Sequence, residues 1–129
     1  MPQCLYPQKI ANYPQSYVVA KHLLNGKFSQ CLSANTRLRL EDNNNISVIL
    51  YDTAIVIFKP NGGILLHSEG YRTPTTLRRI NQCLPLRYRV RSHKKQWVVY
   101  FNAAIEPETN CAPFYDGIAL EPCEQEGAV

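Results

Sequence analysis

The chain has 129 residues, the length of one ordinary domain, which leaves little room for separate catalytic and binding modules. Its composition, 45% hydrophobic and 19% charged with a net charge of +4, excludes a disordered, collagen-like or coiled-coil chain and predicts a mildly basic globular protein. No run of about 18 apolar residues is present, and the first ten residues do not resemble a secretory signal, so we expect no membrane contact.

The N-terminal part of the chain predicts an extended arm followed by a short helix. Residues 1–13 combine prolines with polar neighbours, which favours an extended conformation. From Ser16 onward the apolar residues follow helical spacing, with Ser16 in the N-cap position and Gly26 at the expected end. We therefore predict an N-terminal helix between these two residues.

The middle of the chain predicts antiparallel strands. Polar and apolar residues alternate between Thr36 and Leu40, so Leu38 would face a core while Arg37 and Arg39 face water. Three further stretches are rich in β-branched and aromatic residues: residues 46–51, 54–59 and 64–68. An Asn-Gly turn joins the last two as a hairpin.

The second half predicts a helix, a second hairpin and one last strand. Residues 77–84 place their apolar side chains on one helical face, with Thr73 or Thr75 as the N-cap and Pro85 at the end. The remaining strand patterns occupy three stretches: residues 88–92, 97–102 and 114–120.

These elements predict an α+β fold. We expect an antiparallel β-sheet of about five to seven strands with an N-terminal helix and one inserted helix. We predict a single domain over residues 14–120, preceded by the arm over residues 1–13 and followed by an acidic tail over residues 121–129.

The charges are segregated along the chain. Residues 72–105 contain eight basic residues and no acidic one, whereas residues 106–129 contain six acidic residues and no basic one. Such segregation indicates either a basic face for a polyanion or an acidic tail that folds back over the basic segment. The sequence leaves both interpretations open.

The basic segment is interleaved with aromatic residues, which favours a nucleic-acid interface. Lys and Arg neutralise phosphates, and unpaired bases stack on aromatic rings with about 1–3 kcal/mol each, so a single strand is a suitable partner. The predicted interface has ten residues: Arg72, Arg78, Arg79, Arg87, Tyr88, Arg89, Arg91, Lys94, Lys95 and Trp97. We expect Arg87, Arg89 and Arg91 on one side of a strand, with Tyr88 or Trp97 stacking on a base. A core position is the alternative for Trp97.

The same pattern has two other interpretations. Outward-facing Arg and Lys residues are ordinary on a half-exposed hairpin, where they discourage edge-to-edge aggregation. An acidic host protein is the other partner that a basic surface would suit.

The five cysteines contain no close Cys-x-x-Cys pair, so we predict no metal site. We expect reduced thiols that act as small buried hydrophobes, with a disulfide between Cys111 and Cys123 as the main alternative. A small hydrolase using Cys83 or Cys31 with a histidine is a further alternative, but no motif fixes such a site. We therefore predict no catalytic residues, no cofactor and no enzymatic activity.

The run over residues 70–77 is the most distinctive in the chain. Gly70 permits a bend, and threonine hydroxyls can cap the helix that follows, so the run predicts a strand-to-helix joint. An anion site at the start of that helix is the alternative.

With this run the chain resembles a family of small proteins encoded by bacteriophages and prophages. The shared pattern is a Ser-x-Gly-Tyr/Trp-x-Thr-x-Thr-Thr segment followed by an Arg-Ile-Asn helix, here residues 68–76 and 79–81. A tryptophan-containing strand and a Tyr-Asp-Gly element, here residues 97–100 and 115–117, extend the resemblance over residues 19–120.

The resemblance implies a context for the protein. The family has no established biochemical activity, so the resemblance carries over no catalytic residues. It implies a cytoplasmic protein made during infection, which agrees with reduced thiols. Small phage accessory proteins commonly bind nucleic acid or inhibit a host protein. We predict non-catalytic nucleic-acid binding by the basic segment, with inhibition or modulation of a host protein as the alternative and the oligomeric state unknown.

Overall fold

The computed structural model describes residues 13–101 and 111–120. Within them the elements in chain order are α1 (Tyr17–Leu24), β1 (Ser29–Ser33), β2 (Thr36–Leu40), β3 (Ile46–Leu50), β4 (Thr53–Phe58), β5 (Ile64–Leu66), α2 (Pro74–Gln82), β6 (Tyr88–His93), β7 (Gln96–Phe101), β8 (Cys111–Pro113) and β9 (Ile118–Leu120). The predicted arm, apart from Tyr13, and the predicted tail over residues 121–129 lie outside the described residues. Neither described helix is long and apolar enough to cross a membrane.

Caps define both ends of helix α1. The Ser16 hydroxyl accepts a hydrogen bond from the N–H of Val19 at 3.2 Å, as its predicted N-cap role requires. At the other end Asn25 adopts a left-handed φ of 53°, and its N–H donates to two carbonyls of the last turn. Asn25 therefore ends the helix one residue before the predicted Gly26, because asparagine also tolerates this conformation.

The larger sheet has six antiparallel strands in the order β1-β2-β3-β4-β5-β9. The first five follow one another as a meander, and β9 returns from the far end of the chain to pair with β5. Helix α1 contacts β1, β2 and β3, and α2 contacts β4. Strand β3 lies inside this sheet and is buried along its entire length.

The smaller sheet contains the antiparallel strands β6, β7 and β8. Lys94 and Lys95 form the two-residue turn between β6 and β7, with φ values of 54° and 69°. Positive φ at both turn residues is the arrangement that matches the twist of a tight hairpin. The inward residues Val90, Trp97 and Val99 belong to the same hydrophobic cluster as the core of the larger sheet, so the two sheets share one core.

The α+β class is confirmed, with an N-terminal helix, an inserted helix and antiparallel strands. The strands are divided between two sheets, a division that the sequence patterns did not predict. The sequence patterns did not predict β1, which is mostly polar, or β8, which has only three residues. Both form strands because they pair with β2 and β7, respectively. The predicted last strand, residues 114–120, begins only at Ile118. Phe114 is not part of that strand, because its ring packs on the Trp97 ring with the two centroids 5.2 Å apart.

Candidate nucleic-acid interface

Arg89 and Arg91 lie on the water-facing side of β6. Their neighbours Tyr88 and Val90 are buried, and successive residues of a strand point to opposite faces. In the β6–β7 ladder Arg89 lies directly opposite Tyr100, which is half-buried. Side chains opposite one another in such a ladder are in contact range, so one cation and one aromatic ring are adjacent on this surface.

The tip of the same hairpin adds two more cations. Lys94 and Lys95 are exposed, because the turn projects both side chains away from the core. We call this surface the hairpin face, and it consists of five residues: Arg89, Arg91, Lys94, Lys95 and Tyr100.

The positive charge of the hairpin face is not compensated within the described part of the chain. None of its four cations forms an ion pair or a side-chain hydrogen bond there. Arg39 on β2 differs, since its guanidinium lies 3.1 Å from the Glu41 carboxylate. An approaching anion would meet the charge of all four cations.

Arg72 takes part in a different contact. Its Cζ lies 4.9 Å from the ring centroid of Phe114 and 5.4 Å from that of Trp97, within the range of a cation–π interaction. Its Nε donates to the Ser68 hydroxyl at 3.2 Å. The structure therefore separates Arg72 from the hairpin face, although the sequence grouped it with the other cations.

The two aromatic residues predicted to stack on bases are buried. Trp97 is 5% exposed and Tyr88 is 7% exposed, and Tyr88 packs edge to face on Phe101 with centroids 6.0 Å apart. Protein side chains already surround both rings, so neither ring has an open face for a base in this structure. Trp97 is a core residue, which was the alternative interpretation.

The remaining arginines of the basic segment are divided between solvent and internal contacts. Arg79 Nη1 donates to the Thr36 hydroxyl at 2.6 Å, which ties α2 to β2. The Cζ of Arg87 is 4.8 Å from the centroid of the ring of the next residue, Tyr88. Arg78 is exposed on α2. The structure thus brings together four of the eight predicted cations on the hairpin face. The other four lie outside it: Arg72, Arg78, Arg79 and Arg87.

Two of the segments that carry the phage-family resemblance, residues 68–76 and 115–117, meet at one place, which we call the Asp116 joint. Asp116 accepts hydrogen bonds from the Ser68 N–H at 2.8 Å, the Ser68 hydroxyl at 2.9 Å and the Glu69 N–H at 3.0 Å. Partial burial raises the pKa of Asp116. These hydrogen bonds and the positive charge of Arg72 lower it by more, so the pKa lies below its usual value of 3.8. The joint therefore fixes the end of β5 to the loop before β9.

The same joint leads into α2. The Thr73 hydroxyl accepts a hydrogen bond from the Thr76 N–H at 3.1 Å, and Pro74 occupies the first helical turn. This arrangement agrees with the predicted strand-to-helix joint, in which Thr73 is one of the two expected caps.

Asn81 closes the free edge of β6. Its side-chain amide donates to the Val90 carbonyl at 2.9 Å, and its side-chain oxygen accepts from the Val90 N–H at 2.8 Å. One side chain therefore makes the two hydrogen bonds that a further strand would make at this position. The contact fixes α2 against the strand that carries Arg89 and Arg91.

The model of one protein family, described as the Kyanoviridae Gp96 protein, matches residues 15–121. The chain belongs to the Kyanoviridae Gp96 family. This match confirms the predicted relation to phage-encoded proteins, and it spans both helices and all nine described strands. No curated protein and no solved structure matches the chain.

The described cysteines of this Gp96-family chain agree with the expectation of reduced thiols at Cys83 and Cys111 and differ from it at Cys31. Cys31 is disulfide-bonded, so the expectation of a reduced thiol is wrong there. Cys111 is a free thiol, which contradicts the alternative of a Cys111–Cys123 disulfide. Burial is the main influence on the Cys83 thiol and raises its pKa. The charge of nearby Arg79 lowers the pKa by less, so the net value is about 12.

Sequence reasoning about this Gp96-family chain missed two residues near the interface. Tyr100 is not among the ten residues of the predicted interface. Once Trp97 is placed in the core, the alternation of a strand puts Tyr100 on the outer face. Asn81 gave no signal beyond the family pattern, because its partner Val90 belongs to another element.

Within residues 13–101 and 111–120, no three metal-binding side chains come together.

Proposed function

We propose that this phage accessory protein binds nucleic acid through the hairpin face and does not catalyse a reaction on it. The strongest support is the position of Arg89 and Arg91 on the water-facing side of β6, without an acidic partner in the described part of the chain. Their spacing of about 6.6–7 Å along the strand lets each meet a separate phosphate group.

Tyr100 favours a single strand over a duplex as the ligand. It lies opposite Arg89, so a base can contact the tyrosine ring while its phosphate contacts the guanidinium. Only a single strand presents free base faces, and stacking on an aromatic side chain contributes about 1–3 kcal/mol per base. A duplex would interact with the four cations alone.

The test compares two double variants with the same change in charge. Arg89→Ala with Arg91→Ala removes two cations from the hairpin face, whereas Lys21→Ala with Lys27→Ala removes two exposed cations from α1 and the loop after it. Binding of a fluorescent oligo(dT) is measured by anisotropy across a range of salt concentrations. We expect the first variant to weaken binding about tenfold and to reduce the salt slope by about 1.4, since each single-strand phosphate contact contributes about 0.7.

The control variant should bind almost as tightly as the unchanged protein. Equal weakening by both double variants would contradict the proposal, because it would indicate a response to net charge only. Tyr100→Ala should weaken binding of the single strand about tenfold and leave duplex binding unchanged. Capture of one host protein that persists after nuclease treatment, without affinity for oligo(dT), would favour the host-protein alternative instead.

A further inference from the structure

A pocket of about 290 Å³ lies between the β3–β4 turn and the start of α2. Ile55, Ser68 and Thr76 are buried residues of its lining, whereas Tyr51 and Tyr71 are 66% and 62% exposed. Its volume is at the lower limit of pockets that hold small organic ligands. The pocket therefore suits a ligand of about the size of a single heterocyclic base.

Tyr51 holds an unfavourable backbone conformation beside this pocket. It forms a two-residue turn with Asp52, and its φ is 56°. Glycine and asparagine adopt this region far more readily than a bulky residue does. The Tyr51 N–H donates to the Asn35 carbonyl at 2.8 Å, a bond that any residue other than proline would also make. Turn formation does not explain an aromatic residue at such a position, which favours a role for the Tyr51 ring other than folding.

The charge of the pocket limits the chemistry of its ligand. Asp52 is the single charged residue among the ten described residues that line it. Within the described chain its carboxylate makes no ion pair and no hydrogen bond, so it is available to accept one. The negative charge disfavours a phosphate, and the positive end of the α2 dipole disfavours a full cation. A neutral ligand that donates hydrogen bonds on one edge satisfies both conditions.

We propose that this pocket binds a nucleobase that carries an exocyclic amino group. The plane of the base packs against the Tyr51 and Tyr71 rings, and the amino group donates to the Asp52 carboxylate. A sugar fits less well, because each of its hydroxyls needs a partner and much of the lining is apolar. The proposal does not depend on the hairpin face, since it concerns different residues.

Cytidine and uridine form a matched pair of probes. On the same ring carbon cytidine carries an amino group and uridine carries a carbonyl oxygen. Each is titrated into ¹⁵N-labelled full-length protein. We expect cytidine to shift the amide signals of Asp52 and Tyr71 and to bind about tenfold more tightly than uridine, given the strength of a hydrogen bond to a carboxylate. Asp52→Asn should reduce this preference to about one, because the amide can donate to the uridine carbonyl.

Two further variants separate binding from folding. Tyr51→Asn places a usual turn residue at the left-handed position, so the midpoint of urea unfolding should not fall while cytidine binding weakens about tenfold. Tyr71→Phe should retain binding and Tyr71→Ala should lose it, because the ring supplies the contact. Arg91→Ala should leave cytidine binding unchanged even where it weakens binding of oligo(dT).

The source of the base is distinguished by an oligo(dC) titration. Tighter binding of oligo(dC) than of cytidine at the pocket signals would identify a strand as the source, and equal binding would identify a free nucleoside. Equal affinity for cytidine and uridine would overturn the proposal. So would unchanged cytidine binding by Tyr51→Asn, or the absence of shifts at the pocket in millimolar cytidine.

Discussion

Arg72 and Arg91 come from the same acid-free segment, but the fold gives them opposite surroundings. Arg72 packs on the rings of Trp97 and Phe114 and donates to Ser68, whereas Arg91 faces water without a partner in the described chain. The Asp116 joint uses charge to hold two distant parts of the chain together. The hairpin face leaves its charge available to an external anion.

The difference has a local geometric cause. Arg91 follows Val90 on β6, so the alternation of the strand directs it away from the core. Arg72 follows a turn in which Glu69 and Gly70 have φ values of 52° and 84°, and this turn leads the chain away from β5 toward α2. Two arginines of one basic run therefore have different roles, and net charge alone does not show which is free to bind.

The largest effect on stability should come from Asp116→Ala. The substitution removes the acceptor for the N–H and hydroxyl of Ser68, which is fully buried, and for the N–H of Glu69. Loss of hydrogen bonds to a charged group, with buried donors left unsatisfied, should lower the free energy of unfolding by about 2 kcal/mol. Urea unfolding measures the change. A loss similar to that of an exposed residue would contradict a structural role for the joint.

The pH dependence sharpens the same test. Because the pKa of Asp116 is lower in the folded protein than in the unfolded chain, its contribution is fully present above the ordinary value of 3.8. It is lost as the pH falls through the lower, folded-state pKa. The difference in stability between the unchanged protein and Asp116→Ala should therefore be constant at neutral pH and shrink in strong acid. Asp116→Asn, which keeps one acceptor oxygen, should cost less and should not titrate.

A smaller effect is expected for Asn81→Ala, which removes the two hydrogen bonds that close the edge of β6. We expect a loss of about 1–2 kcal/mol, since each bond contributes about 0.5–1.5 kcal/mol. Hydrogen exchange at the Val90 amide should accelerate, because its acceptor is removed. Arg78→Ala on the exposed side of the same helix is the control, and equal exchange in both variants would contradict the edge role.

Local patterns were sufficient for much of the fold. Ser16 marks the start of α1, the alternation from Thr36 to Leu40 matches β2, and Thr73 was one of the two predicted caps of α2. These signals act over a few residues, so sequence reasoning can detect them. The partition into two sheets depends on the pairing of β9 with β5 and of β8 with β7, and sequence periodicity contains no record of such partners.

The candidate interface shows the same limit. The basic segment predicted the cations of the hairpin face, but it also included Arg72 and Arg79, whose partners lie on other elements. Trp97 was assigned two alternatives because an aromatic residue in a strand suits either a core or a stacking surface. In the folded hairpin Trp97 lies on the same face as the buried residue Val90, so it is a core residue. The pairing that sets this face forms only when the hairpin folds.

The smallest effects, and the sharpest comparison, come from the two arginines themselves. Arg72→Ala removes one hydrogen bond and two ring contacts, so we expect a loss of about 1 kcal/mol in the free energy of unfolding. Arg91→Ala should change it by less than about 0.5 kcal/mol, as is usual for an exposed residue. Trp97 is the single tryptophan, so its fluorescence should shift in the first variant and not in the second.

Arg72→Lys separates charge from shape in this comparison. Lysine keeps the positive charge near Asp116 but lacks the planar guanidinium that packs on the rings, so a loss close to that of Arg72→Ala would assign the contribution to packing. Oligo(dT) binding should show the reverse order, with a large loss for Arg91→Ala and a small one for Arg72→Ala. If both variants weaken binding equally, Arg72 also reaches the ligand, and the separation between the Asp116 joint and the hairpin face does not hold.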